Sequence, residues 1–403
     1  MTVYVLIIVF FFFLRFLVFR KEFLVGTEKR NFLILSLIPV TLVAGLRNIS
    51  IGTDTENYKL IFQKILEIDS KSIADEKIEF GYIYLNKLIG LFTSQPQVLF
   101  IVVAIFMSVC IGVFIYKNAS DPFLALLFFI TLGMFQFSLS GMRQSIAVGI
   151  TLLAMEFIKK RKMLWFFALI FIAYSFHKSA ILYLPAYFIA YRSLSTKNLL
   201  SYGFILVLIL TSAQFVLLQA ADILDYDYGV EETGNGQIFF TIVLLITFFG
   251  YWFKKGDAIK TYLAYQRGKR LGTQDSKTSS EFTDRSKVKT RSIQKNPDYI
   301  SLKTSIKYIE VRKKIHPKGV KLVFLNINFI SLLLWSIRLI SRTAERVTFY
   351  YMPSTYLVLE EVVNSIKSKE KRLLVYLLVS GMSIVLFIYR ISRDPTIVPY
   401  RFF

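Results

Sequence analysis

The sequence predicts an all-α, polytopic integral membrane protein, and three observations predict it. Of 403 residues, 55% are hydrophobic and the mean hydropathy is +0.53, well outside the range of a soluble domain. Apolar runs of roughly 20 residues, the length a helix needs to cross the hydrocarbon core, recur along the chain. The 39 Phe and 23 Tyr suit lipid-facing and interfacial positions. A net charge of +22 would suggest nucleic acid in a soluble protein. Here it fits basic cytoplasmic loops, and no nucleic-acid partner is expected. The single Cys110 lies inside an apolar run, which argues against a disulfide framework or a Cys metal site.

Residues 2–19 are the first expected span, with Arg15 inside it. Charge follows this run and does not precede it, so a retained helix is expected and not a signal peptide. The basic loop 20–30 leads to a second span at 31–46. Residues 47–95 are polar and leave room for two short amphipathic helices, near 58–68 and 82–92, lying at the interface. Further spans are expected at 98–116, 122–137 and 142–158, then two short ones at 163–176 and 179–191, then 199–218 and 237–253. An acidic loop carrying Asp222, Asp225, Asp227, Glu231 and Glu232 separates the last two. Residues 254–321 are polar and strongly basic, with disorder expected over 273–295. Spans at 322–340, 347–363 and 373–389 close the series. The expected organisation is an N-terminal membrane domain (1–253, about nine helices, with an external loop at 47–96), a basic cytoplasmic loop (254–321) and a C-terminal membrane segment (322–403, about three helices).

Loop charge sets the orientation. If the first loop is cytoplasmic, so are those at Lys117, at 159–162, at 192–197, at 254–321 and at 367–372. Every concentrated basic loop then falls on one side, as the positive-inside rule requires. About twelve spans with both termini outward follow. Fusing 163–176 and 179–191 into one helix would move the long basic loop outside, which argues against the fusion. Arg47, Asp54, Glu79, Arg143, His177, Arg342 and Arg346 were not used to set this parity, yet all fall at or near the outer face.

Ionisable residues at membrane depth are costly and mark functional sites by default. His177 follows a span of only 14 residues, about 21 Å of helix against a core of about 30 Å. A neutral imidazole there can take a proton from a hydroxyl, or it can simply cap two short helices. Arg338, Arg342 and Arg346 recur every four residues and form one stripe if the helix continues past residue 340. With Arg47 and Arg143 they could hold a diphosphate bidentately, or they could anchor at lipid headgroups. Asp54 and Glu79 could position or deprotonate a hydroxyl, or serve as turn and helix-start residues. Tyr58, Tyr82 and Tyr400 could stack on sugar rings or sit at the interface as tyrosines commonly do. There is no Walker A loop, dinucleotide fingerprint or HExxH. With two His and one Cys, no metal site and no cofactor are expected.

Several stretches resemble one family. Gly141-Met142-Arg143-Gln144 opens one span, and Phe176-His177-Lys178-Ser179-Ala180 opens another after a short basic loop. Gly45-Leu46-Arg47 with Gly52-Thr53-Asp54, and Glu79-Phe80-Gly81-Tyr82 with Leu85-Asn86, extend the pattern, as does Arg346-Val347-Thr348-Phe349-Tyr350. In order and spacing these are similar to the EpsG family of polysaccharide-repeat polymerases, akin to Wzy polymerases. The resemblance covers most of 30–192 and, more weakly, 338–403. It implies a GT-C-like, metal-independent membrane glycosyltransferase in the bacterial cytoplasmic (inner) membrane, with an outward-facing site. Such an enzyme joins undecaprenyl-diphosphate-linked oligosaccharide repeats into O-antigen, capsule or exopolysaccharide. It implies His177, Asp54 and Arg143 as catalytic residues, and Arg47, Arg143, Arg342, Arg346, Glu79 and Tyr82 as substrate or diphosphate contacts. Other expected partners are the bilayer and a flippase and chain-length regulator of the same pathway. Two alternatives remain open: a flippase for the lipid-linked unit, and a non-catalytic assembly or length-control component. The basic loop 254–321 is longer than the family pattern leads one to expect.

Overall fold

The computed structural model describes residues 1–21, 24–67, 78–193, 195, 197–198, 200–208, 211, 236–256, 321–339 and 344–403. The described residues are helical, without a strand; an isolated antiparallel bridge pairs Arg47 with Phe402. The expected eighth span is only partly described, and the named acids of the acidic loop, residues 257–320 of the basic loop, and Arg342 lie outside the described residues.

The elements are α1 (Thr2–Phe13, continued by a π-turn over Leu14–Val18), α2 (Gly26–Gly45), α3 (Thr55–Glu67), α4 (Phe80–Gly90) and α5 (Pro96–Asn118). Then come α6 (Pro122–Thr131), α7 (Met134–Ser140), α8 (Met142–Lys159), α9 (Met163–Phe176), a 3₁₀ segment (Lys178–Tyr183) and α10 (Pro185–Ile189). After these follow α11 (Gln237–Gly256), α12 (Leu322–Arg338), α13 (Ala344–Thr348), α14 (Met352–Ser365) and α15 (Lys369–Ser392). By length and apolarity, three helices among the described residues (α5, α11 and α15) suffice to cross a membrane, or four if α6 and α7 count as one bent span. Of the other expected spans, α2 and α8 are long enough but carry charged residues at their ends, and the rest are shorter, interrupted or only partly described. Leu373, Leu377, Met382 and Val385 on α15 are more than half exposed, a lipid-facing stripe and not a soluble surface.

The interruptions have local causes. The expected span 122–137 instead runs to Ser140 and bends by 50° at Gly133. Gly133 has φ +100°, a conformation that suits glycine. The Arg390 guanidinium packs against its Cα, where a Cβ would come within 2.7 Å of Nη1. The span 179–191 is a 3₁₀ segment followed by α10, because Pro185 lacks the N–H an unbroken α-helix would use. It still crosses back: Tyr191 donates to the Lys159 carbonyl at 2.9 Å, and Arg161 lies 4.2 Å from its ring centroid. The span 347–363 is split at 349–351 into α13 and α14, with Pro353 in the first turn of α14.

Two ends of the bundle differ in character. At one end α2, α5, α8, α12 and α14 converge on the turn 118–121. Lys29 donates to the Ala119 carbonyl at 2.5 Å, Lys159 to Asn118 Oδ1 at 2.7 Å and Lys321 to the Asn118 carbonyl at 2.7 Å. Glu360 accepts from the Ser120 and Asp121 amides at 3.2 and 2.5 Å. At the other end, residues 396–403 are strapped across the loop after α2. Gly52 N–H bonds the Thr396 carbonyl at 2.8 Å, Asn48 N–H the Arg401 carbonyl at 2.9 Å and Phe403 N–H the Leu46 carbonyl at 2.9 Å. Tyr4 joins them through a 3.1 Å bond to the Ile397 carbonyl. The two chain ends therefore share the end of the bundle that carries Arg47, Asp54 and Arg143, opposite the turn on which Lys29, Lys159 and Lys321 gather.

Candidate functional site

Three segments that are remote in sequence meet at this second end. Glu79 stands at the N-cap of α4, yet its carboxylate caps no helical amide. It accepts from Arg143 Nη1 at 2.6 Å through Oε2 and faces His177 Nδ1 at 3.2 Å through Oε1. Arg143 sits in the first turn of α8, where the chain turns at Gly141. His177 closes α9 in an extended conformation (φ −159°, ψ 120°), so the ring leaves the helix axis while its backbone amide still bonds the Ala173 carbonyl at 3.0 Å. Side-chain exposure is 8% for Glu79, 13% for His177 and 26% for Arg143. This is a nearly dry cluster with an edge open to the outside, where charge–charge interactions are strong.

Burial pushes the Glu79 carboxyl up, but the hydrogen bond with His177 and the charge of Arg143 outweigh it and hold its pKa down at about 2. A depressed carboxylate contributes stability that is fully present above the unfolded value of about 4.3 and is lost as pH falls towards the folded one. Glu79 is thus an anion throughout the neutral range and accepts hydrogen bonds without donating. Tyr58, buried on α3, also hydrogen-bonds Arg143. Its ring meets Tyr82 edge-on at 5.9 Å, so it braces the arginine from a position closed to a sugar.

Glycine lets the segments approach. A Cβ on Gly81 would lie 2.3 Å from Ser175 Oγ and 2.7 Å from the Ser175 carbonyl, so α4 rests directly on the end of α9. Gly52, at φ +93°, has the Leu139 carbonyl 2.3 Å from where a Cβ would be. The loop leading to Asp54 is thereby pressed against the α7–α8 turn, and Thr53 N–H bonds Ser140 Oγ at 3.2 Å. Asp54 is half-buried, and among the described residues its carboxylate has no hydrogen bond or ion pair.

The segment 344–351 forms the far wall. Gln144 Nε2 donates to the Arg346 carbonyl at 2.6 Å, Phe137 and Phe349 stack at 3.9 Å, and the Ser179 and Tyr350 hydroxyls meet at 3.0 Å. A stacked pair of this kind contributes about 0.5–1.5 kcal/mol beyond its buried area. Arg346 is exposed, and among the described residues its guanidinium has no partner. Arg338 is buried and bonds Glu345 at 2.8 Å. The expected Arg338–Arg342–Arg346 stripe is not one helix face, because α12 ends at Arg338 and Arg346 belongs to α13.

Two expected contact residues are buried. Arg47 is 2% exposed; it donates to the Ala44 carbonyl and lies 4.8 Å from the Phe100 ring centroid, beneath the strapped residues 396–403. Tyr82 is fully buried between Tyr58 and Met142. Tyr400 spends its hydroxyl on the Val43 carbonyl at 2.7 Å. Sequence reasoning missed the pairing of Glu79 with His177 across 98 positions. The available signal was Gly81, two residues after the carboxylate, which permits an approach no other residue would. Among the described residues, no three His, Cys, Asp or Glu side chains gather as metal donors.

This end of the bundle carries an imidazole facing a carboxylate through one nitrogen, a second carboxylate without a partner among the described residues, and an exposed guanidinium. It can take a proton from a hydroxyl and stabilise an anionic leaving group. The sequence model of the EpsG family matches residues 30–267 of the chain. No curated protein and no solved structure matched.

Proposed function

Because the chain belongs to the EpsG family, which comprises Wzy-like polysaccharide polymerase-related membrane proteins, we propose that it polymerises lipid-linked oligosaccharide repeats at the outer face of the cytoplasmic membrane. The donor is a glycan on undecaprenyl diphosphate, and the acceptor is one repeat on a second such lipid. The acceptor hydroxyl oxygen bonds to the donor's anomeric carbon, the bond from that carbon to the diphosphate oxygen breaks, and the hydroxyl proton passes to His177 Nε2. The lipid diphosphate leaves with the bonding electron pair, stabilised by arginine. A metal is not needed where guanidinium groups take the charge.

The observation that carries this reading is the His177–Glu79–Arg143 cluster, with exposed Arg346 and unpartnered Asp54 at the same end of the bundle. A flippase would need charged groups at both depths of one pathway; this set lies at one end. Purified protein supplied with lipid-linked repeats in detergent is expected to make polymer, and Arg346→Ala to lower kcat/KM at least about tenfold, the loss of one charge-assisted contact. No polymer from the wild type, together with movement of labelled repeat across vesicles, would assign a flippase.

The orientation supports the reading in a second way. With the turn at 118–121 and the lysines bonded to it in the cytoplasm, both chain ends and the cluster face outward, and about twelve spans connect the two ends. Reporter fusions after Phe403 and at Gly272, which lies outside the described residues, are expected to report opposite sides. The same side for both would overturn the outward site.

A further inference from the structure

We propose that Glu79 is a positioning residue: it fixes which imidazole nitrogen of His177 is free, and it does not contact substrate. The inference rests on the polymerase reading only for its catalytic consequence, because the positioning follows from geometry.

The Glu79 carboxylate has both oxygens engaged, Oε2 by Arg143 at 2.6 Å and Oε1 by His177 Nδ1 at 3.2 Å. With 8% of its side chain exposed, it has no face left for a sugar or a phosphate. An anion that only accepts must be met by a donor, so Nδ1 carries the proton in the neutral ring. Nε2 is then the lone-pair nitrogen, and a lone pair is what a general base requires. An isolated imidazole prefers the opposite tautomer, with the proton on Nε2, in which Nε2 would be a donor and useless as a base. Glu79 reverses that preference.

Arg143 takes a different role from the one its sequence position suggests. It bonds Glu79, hydrogen-bonds Tyr58, and keeps Nε buried without a partner. Its charge is already balanced by the carboxylate, so it holds Glu79 in place and keeps it ionised. The cation left for the departing diphosphate is Arg346, exposed on α13 and tied to the cluster through the bond from Gln144 to its carbonyl. The two jobs, setting the base and receiving the leaving group, fall to different arginines.

The test reads the tautomer directly. The chain holds two histidines, so ¹⁵N-histidine labelling of the full-length His316→Gln protein leaves His177 as the one imidazole signal. The expected spectrum at neutral pH is a protonated Nδ1 and an unprotonated Nε2. Glu79→Gln is expected to let the Nε2-protonated form appear and to lower kcat about 10²-fold or more with KM little changed, and Glu79→Asp to recover part of both. A wild-type ring protonated on Nε2 would overturn the proposal even if Glu79→Gln fails to fold. So would an unchanged tautomer in a folded Glu79→Gln. An Nδ1-protonated wild-type ring in a protein that makes no polymer would leave the positioning role standing and remove the polymerase reading.

Discussion

Replacing His177 with Gln is expected to cut polymer formation by about 10²–10⁴-fold, the usual contribution of a general base, at matched amounts of folded protein. Glutamine is the informative choice. Its amide keeps a hydrogen-bond donor that can turn to the Glu79 carboxylate now facing Nδ1. It cannot accept a proton near pH 7. A histidine that merely closes α9 should therefore tolerate the change with little loss of rate, and near-normal polymer from His177→Gln would remove the base role. Asp54 would then be the better candidate, since it stands near the same turn with a free, half-buried carboxylate. In that event Asp54→Asn should abolish what His177→Gln spared.

Gly81→Ala is the second large effect. The added methyl would lie 2.7 Å from the Ser175 carbonyl oxygen and 2.9 Å from its carbon, distances real Cβ atoms do not adopt. The obstacle is backbone, so a rotamer change cannot relieve it and α4 must move off α9. Overpacking of this kind costs about 1–3 kcal/mol in stability. The functional loss should exceed what that figure implies, because the displaced helix carries Glu79 away from His177. A misplacement of about 1 Å in a catalytic arrangement can lower rate about 10²-fold. The measurement pairs thermal unfolding in detergent with polymer rate. A stable, fully active Gly81→Ala would show that the close contact of α4 with α9 does not set the site.

How much of this was legible beforehand depends on the range of the cause. The amphipathic pair expected near 58–68 and 82–92 corresponds to α3 and α4, because a helix period is written into neighbouring residues. The gathering of Lys29, Lys159 and Lys321 around one turn follows the loop-charge pattern. The burial of Arg47 was not legible: what covers it is the segment 396–403, some 350 positions away. Tyr82 likewise reads as an interfacial tyrosine until α3 lays Tyr58 against it. The break at Gly133 has a local sign in the glycine itself, but its partner Arg390 does not. Glu79 was placed at the site as a substrate contact. Its engagement with both Arg143 and His177 depends on a three-segment meeting that no single window contains.

The strap formed by 396–403 has a consequence for biosynthesis. Loop 46–54 leaves the ribosome early, yet its amides at Asn48 and Gly52 are met by carbonyls of Arg401 and Thr396. Until residues 396–403 are made those two amides lack these partners, and the loop is held to the α7–α8 turn through Thr53 and Ser140. A chain cut before residue 396 would contain every helix named above and still lack the clamp, so such a truncation is expected to loosen the loop that carries Asp54 without removing any helix.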